Sequence, residues 1–117
     1  MREAFTTFAV SRFVDREAVR LALRECAQSL CESQPEIAAV WLFGSFADGT
    51  ATPRSDADVI VEILDDASPF AEAIRSASLD AFLAAPVPVD LFVLTSTQIT
   101  QGRGPSAALA RASLQLA

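Results

Sequence analysis

A short, unbroken apolar run, Ile37 to Phe43, and a second strand-like segment, Ala57 to Leu64 with Val-Ile-Val-Glu-Ile-Leu at its centre, bracket a polar loop rich in Gly, Thr, Pro and Asp. The first is short and continuous and reads as a strand covered on both faces; the second reads as a further strand. A third run, Val87 to Leu94, is entered past Pro86 and carries Pro88, which places it at a strand start or a sheet edge. Around these runs the pattern is helical. Val19, Leu23, Cys26 and Leu30 recur every three or four residues between about Asp15 and Ser33, and Pro35 stops that helix. Arg16, Arg20 and Arg24, with Glu17 and Glu25, form its solvated face. Ser68-Pro69 reads as the start of a second helix running to about Ala84, with Phe70, Ile74, Ala77 and Ala81 on one side. Gly102 to Pro105 is a loop, and Ser106 to Leu116 reads as a final, weakly amphipathic helix. Phe5, Phe8 and Phe13 are expected to cover part of the core. The order predicts an α/β (α+β) domain: a small mixed β-sheet flanked by helices, with residues 1–117 as one unit.

Composition removes several kinds of chemistry. All nine basic residues are Arg, and there is no His. A histidine base, a lysine Schiff base and histidine-built zinc sites are excluded, so carboxylates must do any acid–base or metal work. A net charge of −6 makes DNA or RNA a poor partner. No apolar run approaches membrane-spanning length, and the first residues lack the long apolar stretch of a signal peptide, so a cytoplasmic protein is expected. Cys26 and Cys31 lie five residues apart, on different faces of the first helix, and read as two free packing residues.

The chemistry concentrates in and after the polar loop. Asp56 and Asp58 alternate, so on a strand they point to one face. Two carboxylates held together repel unless a cation lies between them, and Mg²⁺, with its preference for oxygen ligands, suits the role. Asp90 sits inside an apolar run, where an unpaired carboxylate is costly. Laying the 87–94 strand beside the 57–64 strand relieves that cost by bringing Asp90 to the same metal site. Three carboxylates there can hold two Mg²⁺ ions about 4 Å apart. Gly44-Ser45 follows a buried strand and opens the loop. A glycine allows close backbone approach, and N–H groups with the serine hydroxyl can bind terminal phosphates. Arg54, beside the carboxylates and followed by Ser55, can neutralise phosphate charge. Glu62 falls on the same strand face by period two but deeper, as a supporting group or an exposed one. Asp48, Asp65, Asp66 and Asp80 read as surface or turn acids.

Gly44-Ser45, ten intervening residues, Asp56-Ala-Asp58 and then Asp90 in an apolar strand resemble the DNA polymerase beta-like nucleotidyltransferase superfamily, and its minimal nucleotidyltransferase (MNT) branch in particular. The resemblance spans residues 40–62 and 87–94. It implies that superfamily's fold, ATP or another nucleoside triphosphate as substrate, two Mg²⁺ and attack of an acceptor hydroxyl on the α-phosphorus, with pyrophosphate leaving. Asp56 and Asp58 are then metal ligands, and Asp90 is a third ligand or the base that activates the acceptor. Gly44 and Ser45, with Arg54 and Ser55, contact the nucleotide phosphates. Many MNT proteins are antitoxins that silence a HEPN-domain ribonuclease toxin by adding AMP to a tyrosine. A HEPN-type toxin partner, in a homo- or hetero-oligomer, is the expectation, with the exposed apolar parts of the first and last helices as its docking area. Two alternatives stand beside it: a module that blocks its toxin without catalysis, and a transferase acting on a small molecule.

Overall fold

The computed structural model describes residues 15–102 and 113–117. Phe5, Phe8 and Phe13 and most of the expected final helix lie outside them. The first helix, α1 (Arg16–Ser33), begins at Asp15, whose carboxylate accepts the Ala18 N–H at 3.1 Å. Val19, Leu23, Cys26, Ala27 and Leu30 form its buried stripe. Cys26 and Cys31 are free, and burial pushes both thiols above their usual range.

Three runs become the expected strands: β1 (Ile37–Phe43), β2 (Ala57–Ile63) and β3 (Val89–Thr95). A one-turn helix, α2 (Ser45–Asp48), follows β1 directly. The sheet order is β3-β2-β1-β4, with β1 antiparallel to β2, and β2 parallel to β3. The crossover between β2 and β3 passes through α3 (Ala71–Ala81). β3 is an edge strand that starts one residue after Pro88, whose carbonyl accepts the Ala57 N–H at 2.8 Å. A proline is tolerated there because its missing N–H is not needed by a neighbour.

Alternation along β2 splits the sheet into two faces. Ala57, Val59, Val61 and Ile63 turn toward α1 and α3 and join the main core with Leu23, Leu30, Leu42, Phe46 and Ile74. Fully burying side chains of this size stabilises the fold by about 1.5–3 kcal/mol each. Ser78 is also buried there, and its hydroxyl donates to the Ile74 carbonyl at 2.7 Å, which removes the cost of an unpaired polar group. Asp58, Ile60 and Glu62 point to the opposite face. Register sets three rows across that face: Phe43–Asp58–Asp90, then Trp41–Ile60–Phe92, then Ala39–Glu62–Leu94.

Four expectations need correction. The helix expected over 68–84 is a 3₁₀ turn (Asp65–Phe70), α3 and a second 3₁₀ turn (Phe82–Ala84). Ser68 and Pro69 lie inside the first turn, and Phe70, instead of facing the core, is 56% exposed because it precedes the helical phase that buries Ile74. The end of the expected last helix is a strand, β4 (Ser113–Gln115), antiparallel to β1. The open backbone of β1 decides this: the Leu116 N–H donates to the Val40 carbonyl at 2.7 Å, and the Leu116 side chain is buried. A helix absent from the sequence reading, α4 (Ser96–Gln101), follows β3 at once, started by a capping box between Thr95 and Gln98. Arg16 and Arg20 also depart from a solvated role: Arg16 reaches the Ala51 carbonyl just after α2, and Arg20 the Phe46 carbonyl within α2. No helix among the described residues is long and apolar enough to cross a membrane.

Candidate active site

The site forms where β1 ends and β2 and β3 begin. Antiparallel register sets Asp58 opposite Phe43, and parallel register sets Asp90 beside Asp58. Residues paired in this way share a sheet face, so two of the acids stand on neighbouring strands at one end of the sheet. Asp56 lies just before β2 and is exposed, as is Asp90, whereas Asp58 is half-buried. None of the three makes a hydrogen bond or ion pair with another described residue; the ion pair among those residues is Arg20–Glu17. Partial burial pushes the Asp58 carboxyl above its ordinary range, and the nearby Asp90 and Asp56 carboxylates push it further. The three acids therefore share one electrostatic neighbourhood.

Gly44 closes that neighbourhood on the β1 side. Its φ of +76° lies in the region that suits glycine. A Cβ at this position would fall on Asp58 Oδ2, nearer than van der Waals contact allows. The loop backbone is thus set directly against the carboxylate, and the spacing between the glycine and the aspartate pair has a steric meaning.

Beyond Gly44 the chain turns compactly. The Gly44 carbonyl accepts the Ala47 and Asp48 N–H groups, both at 3.0 Å, and the Ser45 carbonyl accepts those of Gly49, Thr50 and Ala51 at 3.0–3.1 Å. Phe46 and Ala51 anchor the turn by burying their side chains completely. The Ser45 hydroxyl has no partner among the described residues. Asp48, read as a turn acid, accepts the Thr50 hydroxyl at 2.6 Å and its N–H at 3.0 Å, which holds its carboxyl below the usual range. A second turn spans 52–55, where the Ser55 hydroxyl accepts the Thr52 N–H at 2.8 Å. Ser55 thus ties the loop that carries Arg54, and the exposed Arg54 side chain has no partner among the described residues.

Arg75 and Glu62 lie elsewhere. Arg75 donates to the Leu91 carbonyl at 3.4 Å from α3. Glu62 serves structure at the far end of the same face, accepting Trp41 Nε1 at 2.9 Å and the Ser96 hydroxyl at 2.6 Å. Phe43, in the row of Asp58, and Phe92, in the next row, meet with ring centroids 6.1 Å apart.

The donor set fits a hard divalent cation: all three groups are carboxylates without protein cations, and the middle one is destabilised by its neighbours' charge. As placed, no group of three or more His, Cys, Asp or Glu among the described residues is close enough together to hold a metal ion by itself.

A structure of a candidate nucleotidyltransferase from Sulfolobus solfataricus is similar in fold, with a TM-score of 0.58 and 21% identity over 74% of this chain and 75% of that one. A toxin–antitoxin structure with AMP-PNP aligns at a TM-score of 0.46 and 23% identity, over 80% of this chain and 72% of the other. No curated protein matches. Residues 23–108, which hold the Gly44 loop and all three aspartates, match the nucleotidyltransferase domain, and the chain belongs to that family.

Proposed function

We propose that the protein is a Mg²⁺-dependent transferase that moves a nucleoside monophosphate, AMP in the first instance, from its triphosphate to a hydroxyl on a protein partner. The observation that carries this reading is the row Asp58–Asp90 across β2 and β3, with Asp58 pressed against Gly44. Asp56, Asp58 and Asp90 would hold the divalent ions. When bound, such ions neutralise phosphate charge and polarise the attacking and leaving oxygens. Gly44 and Ser45 meet the β- and γ-phosphates, and Arg54 and Ser55 stand at the second turn, where Arg54 offsets their charge. The acceptor oxygen bonds to the α-phosphorus as the bond from that phosphorus to the bridging oxygen breaks. Pyrophosphate leaves, and the acceptor proton passes to Asp90 when that residue acts as base.

A protein acceptor is supported by an apolar hollow of about 230 Å³ lined by Leu79, Phe82, Leu83, Val87, Val89 and Leu91, on the strand that carries Asp90. Leu79 is 46% and Leu83 80% exposed, an apolar pair that a partner surface would cover. The motif resemblance names the partner class as a HEPN-type toxin silenced by the transfer, in a hetero-oligomer.

The test incubates the protein and its co-purified partner with α-labelled ATP and Mg²⁺. Label and a mass increase of whole AMP units on the partner are expected, and both disappear with EDTA or with Asp56→Ala/Asp58→Ala. A double variant that protects against the partner as well as the wild type does would overturn catalysis in favour of simple blocking. Label on a small molecule alone would overturn the protein acceptor.

A further inference from the structure

Arg16 and Arg20 lie one turn apart on α1 and reach the same distant segment. Arg16 Nε and Nη2 both donate to the Ala51 carbonyl, at 3.1 and 2.8 Å. Arg20 Nε donates to the Phe46 carbonyl at 2.8 Å and Nη2 to the Ala47 carbonyl at 3.4 Å, while Nη1 stays with Glu17 at 3.2 Å. The carbonyls of Phe46 and Ala47 belong to the C-terminal part of α2, where a helix leaves acceptors unpaired and partial negative charge collects. Ala51 ends the turn that the Ser45 carbonyl gathers. Guanidinium forks suit such a surface, since each holds several donors in one rigid plane.

The segment they grip is a single hydrogen-bonded unit. The arginines hold it at Phe46, Ala47 and Ala51, and the side chains of Phe46 and Ala51 are buried. Its near end is Gly44-Ser45, against Asp58. The amides of Ala47 to Ala51 all close back on the Gly44 or Ser45 carbonyl, so a shift at the arginine end is transmitted to the glycine end. Ordering this loop before the ligand arrives lowers the entropy lost on binding.

We propose that Arg16 and Arg20 are positioning residues that clamp the Gly44–Ala51 loop from behind in its triphosphate-receiving shape, without touching the nucleotide. The inference rests on the nucleotidyltransferase reading above for its purpose, though not for the clamp itself.

Two measurements on Arg20→Gln, Arg20→Lys and Arg16→Lys test it, with Arg24→Gln as a control of equal charge change. Arg24 lies on the same helix and has no partner among the described residues. The first is amide hydrogen exchange of Gly49, Thr50 and Ala51 in the nucleotide-free protein. Arg20→Gln should speed it about tenfold, the factor that corresponds to one charged hydrogen bond of modest strength. Exchange in β2 and in Arg24→Gln should not change. The second compares binding of ATP and AMP. ATP affinity should fall about tenfold in Arg20→Gln, with AMP affinity unchanged, because only the triphosphate uses the loop. Lysine keeps the charge but loses the fork, so both lysine variants should resemble Arg20→Gln, and they decide the matter if the glutamine variant does not fold. Unaltered loop exchange would overturn the clamp. Equal losses for ATP and AMP would reduce it to a general folding contact. A wild type that binds neither nucleotide would overturn the transferase reading, while the exchange data still decide the clamp.

Discussion

The two ends of one sheet face handle carboxylates in opposite ways. At the Gly44 end, half-buried Asp58 has no hydrogen-bond donor among the described residues and is flanked by two further acids, so its carboxyl is pushed up by burial and by Asp90 and Asp56. Four residues further along the same strand and face, Glu62 is also half-buried. Both its oxygens are occupied, one by Trp41 from β1 and the other by Ser96 from α4. Just past the strand, Asp65 accepts the Thr97 hydroxyl and its N–H, which together hold its carboxyl below the usual range. The protein can therefore satisfy a carboxylate in this sheet, and at Asp58 it gathers further negative charge instead. A buried or half-buried charge left in that state points to a cation from outside the chain.

The comparison breaks most readily at Gly44. Gly44→Ala adds a Cβ onto Asp58 Oδ2 and forces a side chain into a left-handed backbone. A loss of about 1–3 kcal/mol from backbone strain is expected, with more from the collision. Urea unfolding measures it, and a variant as stable as the wild type would mean that loop and carboxylate do not meet. At the other end, Glu62→Ala should cost about 1 kcal/mol, since it unpairs the Trp41 indole N–H and the Ser96 hydroxyl, which water can partly reach. It should leave ATP affinity unchanged. An ATP defect equal to that of the Asp58 variants would erase the distinction between the two ends.

The sequence carried much of the fold and the acid row. β1 was legible because a strand covered on both faces is written as an unbroken apolar run, and β2 and β3 because only Asp58 and Glu62, or Pro88 and Asp90, interrupt theirs. The pairing of Asp58 with Asp90 was expected from the cost of a buried acid; the strands do pair in that register, but Asp90 is exposed on an edge strand, so burial was not the reason. Capping chemistry at Thr95 and Gln98 announced α4, and the apolar run before it obscured the signal. β4 could not be read from Ser113–Gln115, because three residues after an Ala-rich stretch acquire strand form only from the unpaired side of β1. Phe70 was misplaced because helical periodicity was extended backward through a 3₁₀ turn. For Arg16 and Arg20, periodicity shows which face of a helix is polar, and nothing in it shows which backbone will fold against that face.

The smallest effect has the most diagnostic sign. In the metal-free protein at neutral pH, the Asp58 carboxylate is ionised in a place that disfavours the charge. Its folded pKa lies above the unfolded value of about 3.9, so ionisation costs folding stability above the folded pKa. Asp58→Asn removes that cost and should stabilise the fold by about 0.5 kcal/mol, a small figure because half-exposed charges interact through solvent. The advantage should shrink as pH falls through the raised folded pKa and vanish below the unfolded one, where the wild-type carboxyl is neutral in both states. Asp48 and Asp65 act in the reverse sense: their lowered carboxyls support the fold at neutral pH, and that support is lost as pH falls through their folded values, equally in wild type and variant. The difference between the two melting curves therefore isolates Asp58. Adding Mg²⁺ should reverse its sign, because an ion that binds only the folded wild type stabilises it by mass action. An Asp58→Asn protein less stable than the wild type in EDTA would show that a donor already satisfies this carboxylate, and the two ends of the sheet would then be alike.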